Sequence, residues 1–326
     1  GMTDVAGLTG NGRWWVGYST GRSFRNVHVG TWTPPEGWHN ITAADFTGDD
    51  IPEILGRDDN GDWQLSQFRT NEEKLDHTLV GNWPVDGDPE QWPTIVTGDF
   101  DQDGDIDFYV TNVNKEYSTY HAQQSEGIWQ DETARLNLVT PTFNMVGFGT
   151  AAVDLDRDSM LELLVTNGHV DIFNFPGRRS PSPYAQPLQL FRRNASNTYD
   201  SVAESLSGEY ASSPHVGRAL WTIDVNRDAQ VDVAVTHQTE PVALLVNHSD
   251  TKGRWLELTL IATDDSRDAI GAVAEVTVEN RTWIAAQVSG DGYLCSDERI
   301  LRFGLGQVAA NSSASVRVTW SNGTTQ

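Results

Sequence analysis

Four stretches of this chain repeat one arrangement of side-chain oxygens. Positions 1, 3, 5 and 9 are Asp45, Thr47, Asp49 and Glu53 in the first, and Asp99, Asp101, Asp103 and Asp107 in the second. They are Asp154, Asp156, Asp158 and Glu162 in the third, and Asp224, Asn226, Asp228 and Asp232 in the fourth. Alternate side chains in a tight loop converge on a hard cation, and Ca²⁺ takes six to eight oxygens, a backbone carbonyl among them. The best set is Asp99, Asp101, Asp103 and Asp107 with the carbonyl of Asp105, where Gly104 allows the left-handed turn that wraps the loop. The other loops are poorer, with Thr47 and Asp50 in the first, Ser159 for Gly in the third, and Asn226 and Ala229 in the fourth. The loops at 45 and 224 are therefore expected to bind least tightly. An EF-hand shares the spacing but needs a glutamate at position 12 and a helix beyond. Position 12 here is Gly56, Val110, Val165 or Val235, and strand-like residues follow. Asp and Gly also populate ordinary turns, but four copies in register favour structural Ca²⁺ over that reading.

The elements that must position these loops are short strands. A fifth copy opens the chain: Asp4-Val-Ala-Gly7 and Gly12-Arg-Trp14 align with Glu53-Ile-Leu-Gly56 and Gly61-Asp-Trp63. The chain thus starts inside a repeat, so further repeats and a signal peptide are expected upstream. Ninth positions fall at 4, 53, 107, 162 and 232, spacings of 49, 54, 55 and 70. Each repeat reads as four strands, with Asn11-Gly12 and Asn60-Gly61 as hairpin turns. Repeats of this length and strand number are the signature of β-propeller blades. The expected fold is all-β: about five four-stranded blades over residues 1–250, the first truncated, then a small antiparallel β-domain over 251–326. Trp14, Trp15 and Trp63 lie on strands and read as core.

Strand order predicts sidedness. In an up-and-down blade the first turns, which are the aspartate loops, share one end. Second turns and inter-blade connections share the other. That other end should carry Trp38, Trp92 and the extra residues between Asn167 and Pro187, with Arg178, Arg179, Phe173, Phe175 and Tyr184. Aromatics and arginines dominate interface energies, so Trp38, Trp92, Arg178 and Arg179 are the candidate ligand-binding residues.

Composition narrows the function. The 22 Lys+Arg against 46 Asp+Glu give a formal charge of −24, a field that repels nucleic acid and attracts cations. One cysteine, Cys295, permits no disulfide framework, and no apolar run is long enough for a membrane helix. Gly17-Tyr-Ser19-Thr-Gly21 matches the nucleophile-elbow string, which needs a strand before and a helix after. Here strands flank it on both sides. The histidines lack zinc-site spacing, and the carboxylates are committed to the loops, so no catalytic residue is assigned.

The aspartate loops resemble FG-GAP/VCBS repeats, found in integrin α-chain propellers and many secreted bacterial proteins. Arg254-Trp255-Leu256, Ser266-Arg-Asp-Ala-Ile-Gly-Ala272, Gly290-Asp-Gly-Tyr293, Phe303-Gly-Leu-Gly306 and Val318-Thr-Trp-Ser-Asn-Gly323 follow in the order of an ASPIC/UnbV domain. Asn167-Gly168-His169 and Gln186 to Phe191 resemble the repeats that precede such a domain. The resemblance implies an extracellular or cell-surface, non-enzymatic, Ca²⁺-binding role in adhesion, with a protein or glycan ligand. A lectin using exposed Trp is the alternative, and a polysaccharide-active enzyme stands behind both.

Overall fold

The computed structural model of this chain describes residues 5–20, 22–34, 36–44, 46–47, 53–69, 72–82, 94–113, 115–125, 128–170, 182–203, 210–251, 253–263, 267–290 and 292–326. Short alternating runs bounded by Gly, Asn and Asp become antiparallel meanders. The first sheet holds β1 (Val5–Leu8), β2 (Arg13–Ser19) and β3 (Phe24–Thr31). The second holds β4 (Trp38–Ala44), β5 (Glu53–Asp58), β6 (Asp62–Arg69) and β7 (Lys74–Asn82). The third holds β8 (Ile95–Gly98), β9 (Asp107–Val110), β10 (Thr119–Ser125) and β11 (Ile128–Asp131). A single helical turn, α1 (Val139–Thr142), leads to the fourth sheet. That sheet holds β12 (Gly147–Val153), β13 (Glu162–Asn167), β14 (Gln189–Arg193) and β15 (Tyr199–Ser201). The fifth holds β16 (Gly217–Ile223), β17 (Asp232–His237) and β18 (Ala243–Leu245). Every pairing in these sheets is antiparallel between chain neighbours.

The second strands β9 and β13 are buried at every position, so their apolar residues pack on both faces. On β13, Leu163 and Val165 enter a cluster with Tyr109 and Tyr120 of the third sheet. Leu164, pointing the other way, meets Leu220, Val233 and Val235 of the fifth. Likewise Phe108 and Val110 of β9 face Leu55 and Trp63 of the second sheet, while Tyr109 faces the fourth. Period-two alternation thus stacks the sheets face to face, one apolar cluster per adjoining pair. First strands approach each other along one side of the row: β4 with β8, β8 with β12, β12 with β16. At Gly149 in β12 a Cβ would lie 2.3 Å from the Leu220 nitrogen of β16, so only glycine fits.

Trp14 and Trp63 are buried, but Trp15 is 36% exposed. The sequence reading of Trp15 as core is corrected by the same alternation. Trp14 faces the second sheet, and Trp15 turns to the outer side of the first, against His28.

Residues 254–319 form two further sheets around a separate core. In one, β19 (Arg254–Leu258) pairs with β22 (Leu301–Gly306). In the other, β20 (Val273–Val278) lies between β21 (Arg281–Ala286) and β23 (Ala314–Thr319). No helix among the described residues is long and apolar enough to cross a membrane.

Candidate metal centres in the aspartate loops

Each first turn joins a first strand to a second. In the loops at 99, 154 and 224 the backbone turns left-handed at positions 4 and 6: Gln102 and Gly104, Arg157 and Ser159, Arg227 and Ala229. The wrap therefore does not require glycine at position 6. Ser159 (φ 83°) and Ala229 (φ 63°) adopt it, held by the loop's own acids. Ser159 donates its backbone N–H to Asp154 Oδ2 at 2.8 Å, and Ala229 to Asp224 Oδ2 at 2.9 Å. Asp158 N–H is shared between Asp154 and Asp156, and Asp228 N–H between Asp224 and Asn226. Such turns cost an L-residue about 1–2 kcal/mol each, which these charge-assisted hydrogen bonds offset.

The ninth carboxylate has a role that position counting does not reveal. In all four loops it accepts the backbone N–H of position 2. Phe46 donates to Glu53 (2.9 Å), Phe100 to Asp107 (3.2 Å), Leu155 to Glu162 (2.9 Å) and Val225 to Asp232 (3.0 Å). Each of these acids is 0–1% exposed, and each also takes a donor from later in its repeat. Gln67 Nε2 serves Glu53, Gln123 N–H serves Asp107, Arg192 Nε serves Glu162 and Asn247 N–H serves Asp232. The ninth residue is thus a latch that ties the first turn to the rest of its sheet.

Positions 1, 3 and 5 make the clusters. Carboxylate oxygens of Asp99, Asp101 and Asp103 all lie within 4.8 Å of one another, as do those of Asp154, Asp156 and Asp158. Asp105 donates its N–H back to Asp103 Oδ1 at 3.0 Å. In the 224 loop, Asn226 Nδ2 already donates to Asp228 Oδ2 at 2.9 Å, satisfying an oxygen that a cation would otherwise hold. Thr47 Oγ1 donates to Glu53 Oε1 at 3.1 Å, while Asp45 and Asp49 lie outside the described residues.

The electrostatics mark an anionic cage. Burial, then repulsion from Asp103 and Asp101, pushes the Asp99 carboxyl up to about 7. Burial, then Asp103, raises Asp101, and burial raises Asp105. Burial and the nearby Asp101 lift Asp107 to about 7. Burial lifts Asp154 to about 6 and Glu162 to about 7. Oδ1 of Asp99 and Oδ1 of Asp101 are buried without any hydrogen-bond partner. Buried acceptors normally find a donor, and converging hard oxygens left without one are the donor set Ca²⁺ takes. The residues therefore fit a divalent cation at the 99 loop.

Two consecutive arginines on β14 supply internal positive charge, a feature sequence inspection missed. Arg192 reaches its own loop, 3.2 Å from Asp156 and 3.0 Å from Glu162. Arg193, buried and facing the opposite way, reaches the neighbouring repeat and donates to the carbonyl of Phe100. The only signal was two adjacent cations in an acidic chain.

The loop end is also where residues 251–326 sit. Arg281 donates to Ser159 Oγ at 2.6 Å, and Ile284 packs with Ile106 and Phe108 beside the 99 loop. Gly304 lies so close to Asp154 that a Cβ there would fall 1.6 Å from Oδ2. The Arg157 guanidinium covers Trp255 at 4.7 Å. Asp297 accepts the Thr222 N–H at 2.5 Å. Burial raises the Asp297 carboxyl, although the Thr222 N–H and two arginines lower it.

Of the candidate ligand-binding residues, Trp38 is packed. Its ring lies 4.3 Å from that of Trp32, and Nε1 donates to the Pro34 carbonyl at 2.7 Å. Trp38 is half-buried against the apolar cluster between the first two sheets. Trp92, Arg178, Arg179, Phe173 and Phe175 lie outside the described residues. The described flanks of that insertion pair Gly168 with Ala185. Ser19 ends β2 at a hairpin into β3, so no strand-to-helix elbow forms there.

Residues 99–165 match the FG-GAP-like repeat, and residues 262–326 match the ASPIC and UnbV family. The chain thus carries an FG-GAP-like repeat followed by an ASPIC and UnbV domain. It is similar to cartilage acidic protein 1 of Xenopus tropicalis, 24% identical over 296 residues, covering 88% of this chain and 42% of that one. It is 25% identical over 252 residues to cartilage acidic protein 1 of Homo sapiens, covering 73% of this chain and 34% of that one. The chain thus spans well under half the length of the curated relatives it matches. A solved lectin from Agrocybe aegerita that recognises non-reducing terminal N-acetylglucosamine aligns over 75% of this chain and 63% of its own. Its TM-score is 0.46 and its identity 13%, a likeness on which nothing further rests.

Proposed function

We propose that this chain is an extracellular calcium-binding interaction module in which Ca²⁺ is structural. Its stacked sheets serve as blades of a β-propeller, first strands toward the axis. The observation that carries the reading is the trio Asp99, Asp101 and Asp103, with two buried carboxylate oxygens left without a donor. Extracellular modules bind Ca²⁺ at roughly 10⁻⁴ to 10⁻³ M, so such sites fill outside the cell and not in a cytosol. The aspartates serve the loops, and Ser66, which lies 2.9 Å from His77 Nδ1, is buried and already takes the Trp32 indole N–H, which supports binding in place of catalysis.

The partner, a protein or a glycan, is placed at the end of the row away from the loops. The loop end is covered by the chain's own C-terminal sheets, and the opposite end carries the described flanks of the Asn167–Pro187 insertion. Packing of Trp38 between sheets favours protein adhesion over sugar stacking. Calorimetric titration of metal-stripped protein with Ca²⁺ is the test. Saturable binding that weakens in Asp101→Ala is the expected result; no heat in the wild type would refute the calcium reading.

A further inference from the structure

We infer that the aspartate-loop end is a docking surface whose partner is the chain's own C-terminal domain, and that cations in the 99 and 154 loops hold that surface in its docking shape. The inference rests on the calcium reading above. It adds what the ions are for: they join two domains as well as two strands.

The domain reads the shape of the loop backbone more than its charge. A Cβ at Gly253 would lie 2.2 Å from the Arg157 carbonyl, and one at Gly306 3.0 Å from the Asp158 carbonyl. Arg281 bonds the Ser159 hydroxyl and reaches Gln102 Oε1 at 3.4 Å. Arg157 donates to the Ala229 carbonyl at 2.5 Å while its guanidinium supports Trp255. Asn247, in the segment leading to the domain, donates to the Leu155 carbonyl at 2.8 Å. The contacts made with the loops fall at positions 1 to 6, of which 4 and 6 are the left-handed residues that L-amino acids avoid, while Asp297 and Cys295 extend the seat onto β16 at Thr222 and Leu220. Three carboxylates within 4.8 Å repel each other at neutral pH. A divalent ion between them removes that repulsion and keeps the carbonyls where Gly253, Gly304 and Gly306 can approach. Without it the loop opens and the seat is lost, while the apolar clusters between sheets remain.

The chain contains its own reporter. Cys295 is the only cysteine, and its Sγ lies at the seam, donating to the Leu220 carbonyl of β16 at 3.0 Å. Docking should shield this thiol from a maleimide. In the full chain, labelling in a chelator should be at least tenfold faster than in millimolar Ca²⁺, with the far-UV β-signal unchanged. Arg281→Gln should label faster in Ca²⁺ with the calorimetric Ca²⁺ affinity retained, because it removes a seat contact and no loop oxygen. Ca²⁺ binding by calorimetry with an unchanged labelling rate would overturn the docking inference and leave the calcium reading standing. Labelling that rises only together with loss of the β-signal would overturn it too, as global unfolding. Absence of any Ca²⁺ heat would sink both.

Discussion

Calcium should reverse the pH dependence of this protein's stability. In the metal-free chain, Asp99 and Asp107 are held near 7, Asp154 near 6 and Glu162 near 7. A carboxyl raised on folding binds protons that the unfolded chain has released, so metal-free stability falls as pH rises from about 4 to about 7. Each tenfold change in proton affinity corresponds to about 1.4 kcal/mol. Asp99, moved from 3.8 to about 7, alone implies several kcal/mol between pH 5 and 7.5, part of it already lost at pH 5. His121 opposes this. Burial lowers it from 6.5 to about 4, which adds stability as pH rises through the same window. Burial also lowers the His77 imidazole, but two imidazoles against four strongly raised carboxyls do not change the sign, and neither histidine belongs to an aspartate loop. Ca²⁺ displaces the protons, and at a hundred times Kd it adds about 2.7 kcal/mol per site. At roughly 2 °C per kcal/mol for a chain of this size, the metal-free melting point should drop by several degrees from pH 5 to 7.5. In excess Ca²⁺ it should instead rise. Circular-dichroism melts of stripped and Ca²⁺-loaded protein at both pH values decide the matter. A Ca²⁺ increment equal at pH 5 and 7.5, or a metal-free melting point that climbs with pH, would refute the cage.

Three further outcomes are expected. Asp101→Ala should abolish Ca²⁺ binding at the 99 loop and lower the melting point, whereas Asn226→Ala should do far less, since Asn226 brings no charge and its amide already engages Asp228; calorimetry on both variants gives the order. Arg192→Gln removes the cation bridging Asp156 and Glu162. It should lower metal-free stability by about 1–3 kcal/mol and tighten Ca²⁺ at the 154 loop, and chemical denaturation with and without Ca²⁺ would expose a failure of either half. Gly149→Ala drives a Cβ to 2.3 Å from the β16 backbone, and should cost about 1–3 kcal/mol of stability with the Ca²⁺ affinity of the 99 loop unaltered; a neutral melt would mean the first strands are not packed as described.

Sequence alone determined the local features. The oxygen pattern placed the loops, Asn-Gly and Gly-rich turns placed the hairpins, and two-residue alternation placed the strands, because each depends on residues a few positions apart. The Asn11-Gly12 and Asn60-Gly61 turns were legible in this way. Glycine was overvalued at position 6, since Ser159 and Ala229 make the same turn once Asp154 and Asp224 bond their N–H groups. Only the tertiary structure decided what faces each loop. Arg193 meets Phe100 across 93 residues of sequence, and Asn247 meets Leu155 across 92. Trp38 is half-buried because it packs against the cluster between the first two sheets, and Trp15 is exposed because nothing described covers the outer face of the first sheet. The seating of the C-terminal domain on the aspartate loops belongs with these. It depends on the shape of backbone carbonyls and on glycines at 253, 304 and 306 approaching them, and close approach between distant segments leaves no period in a sequence.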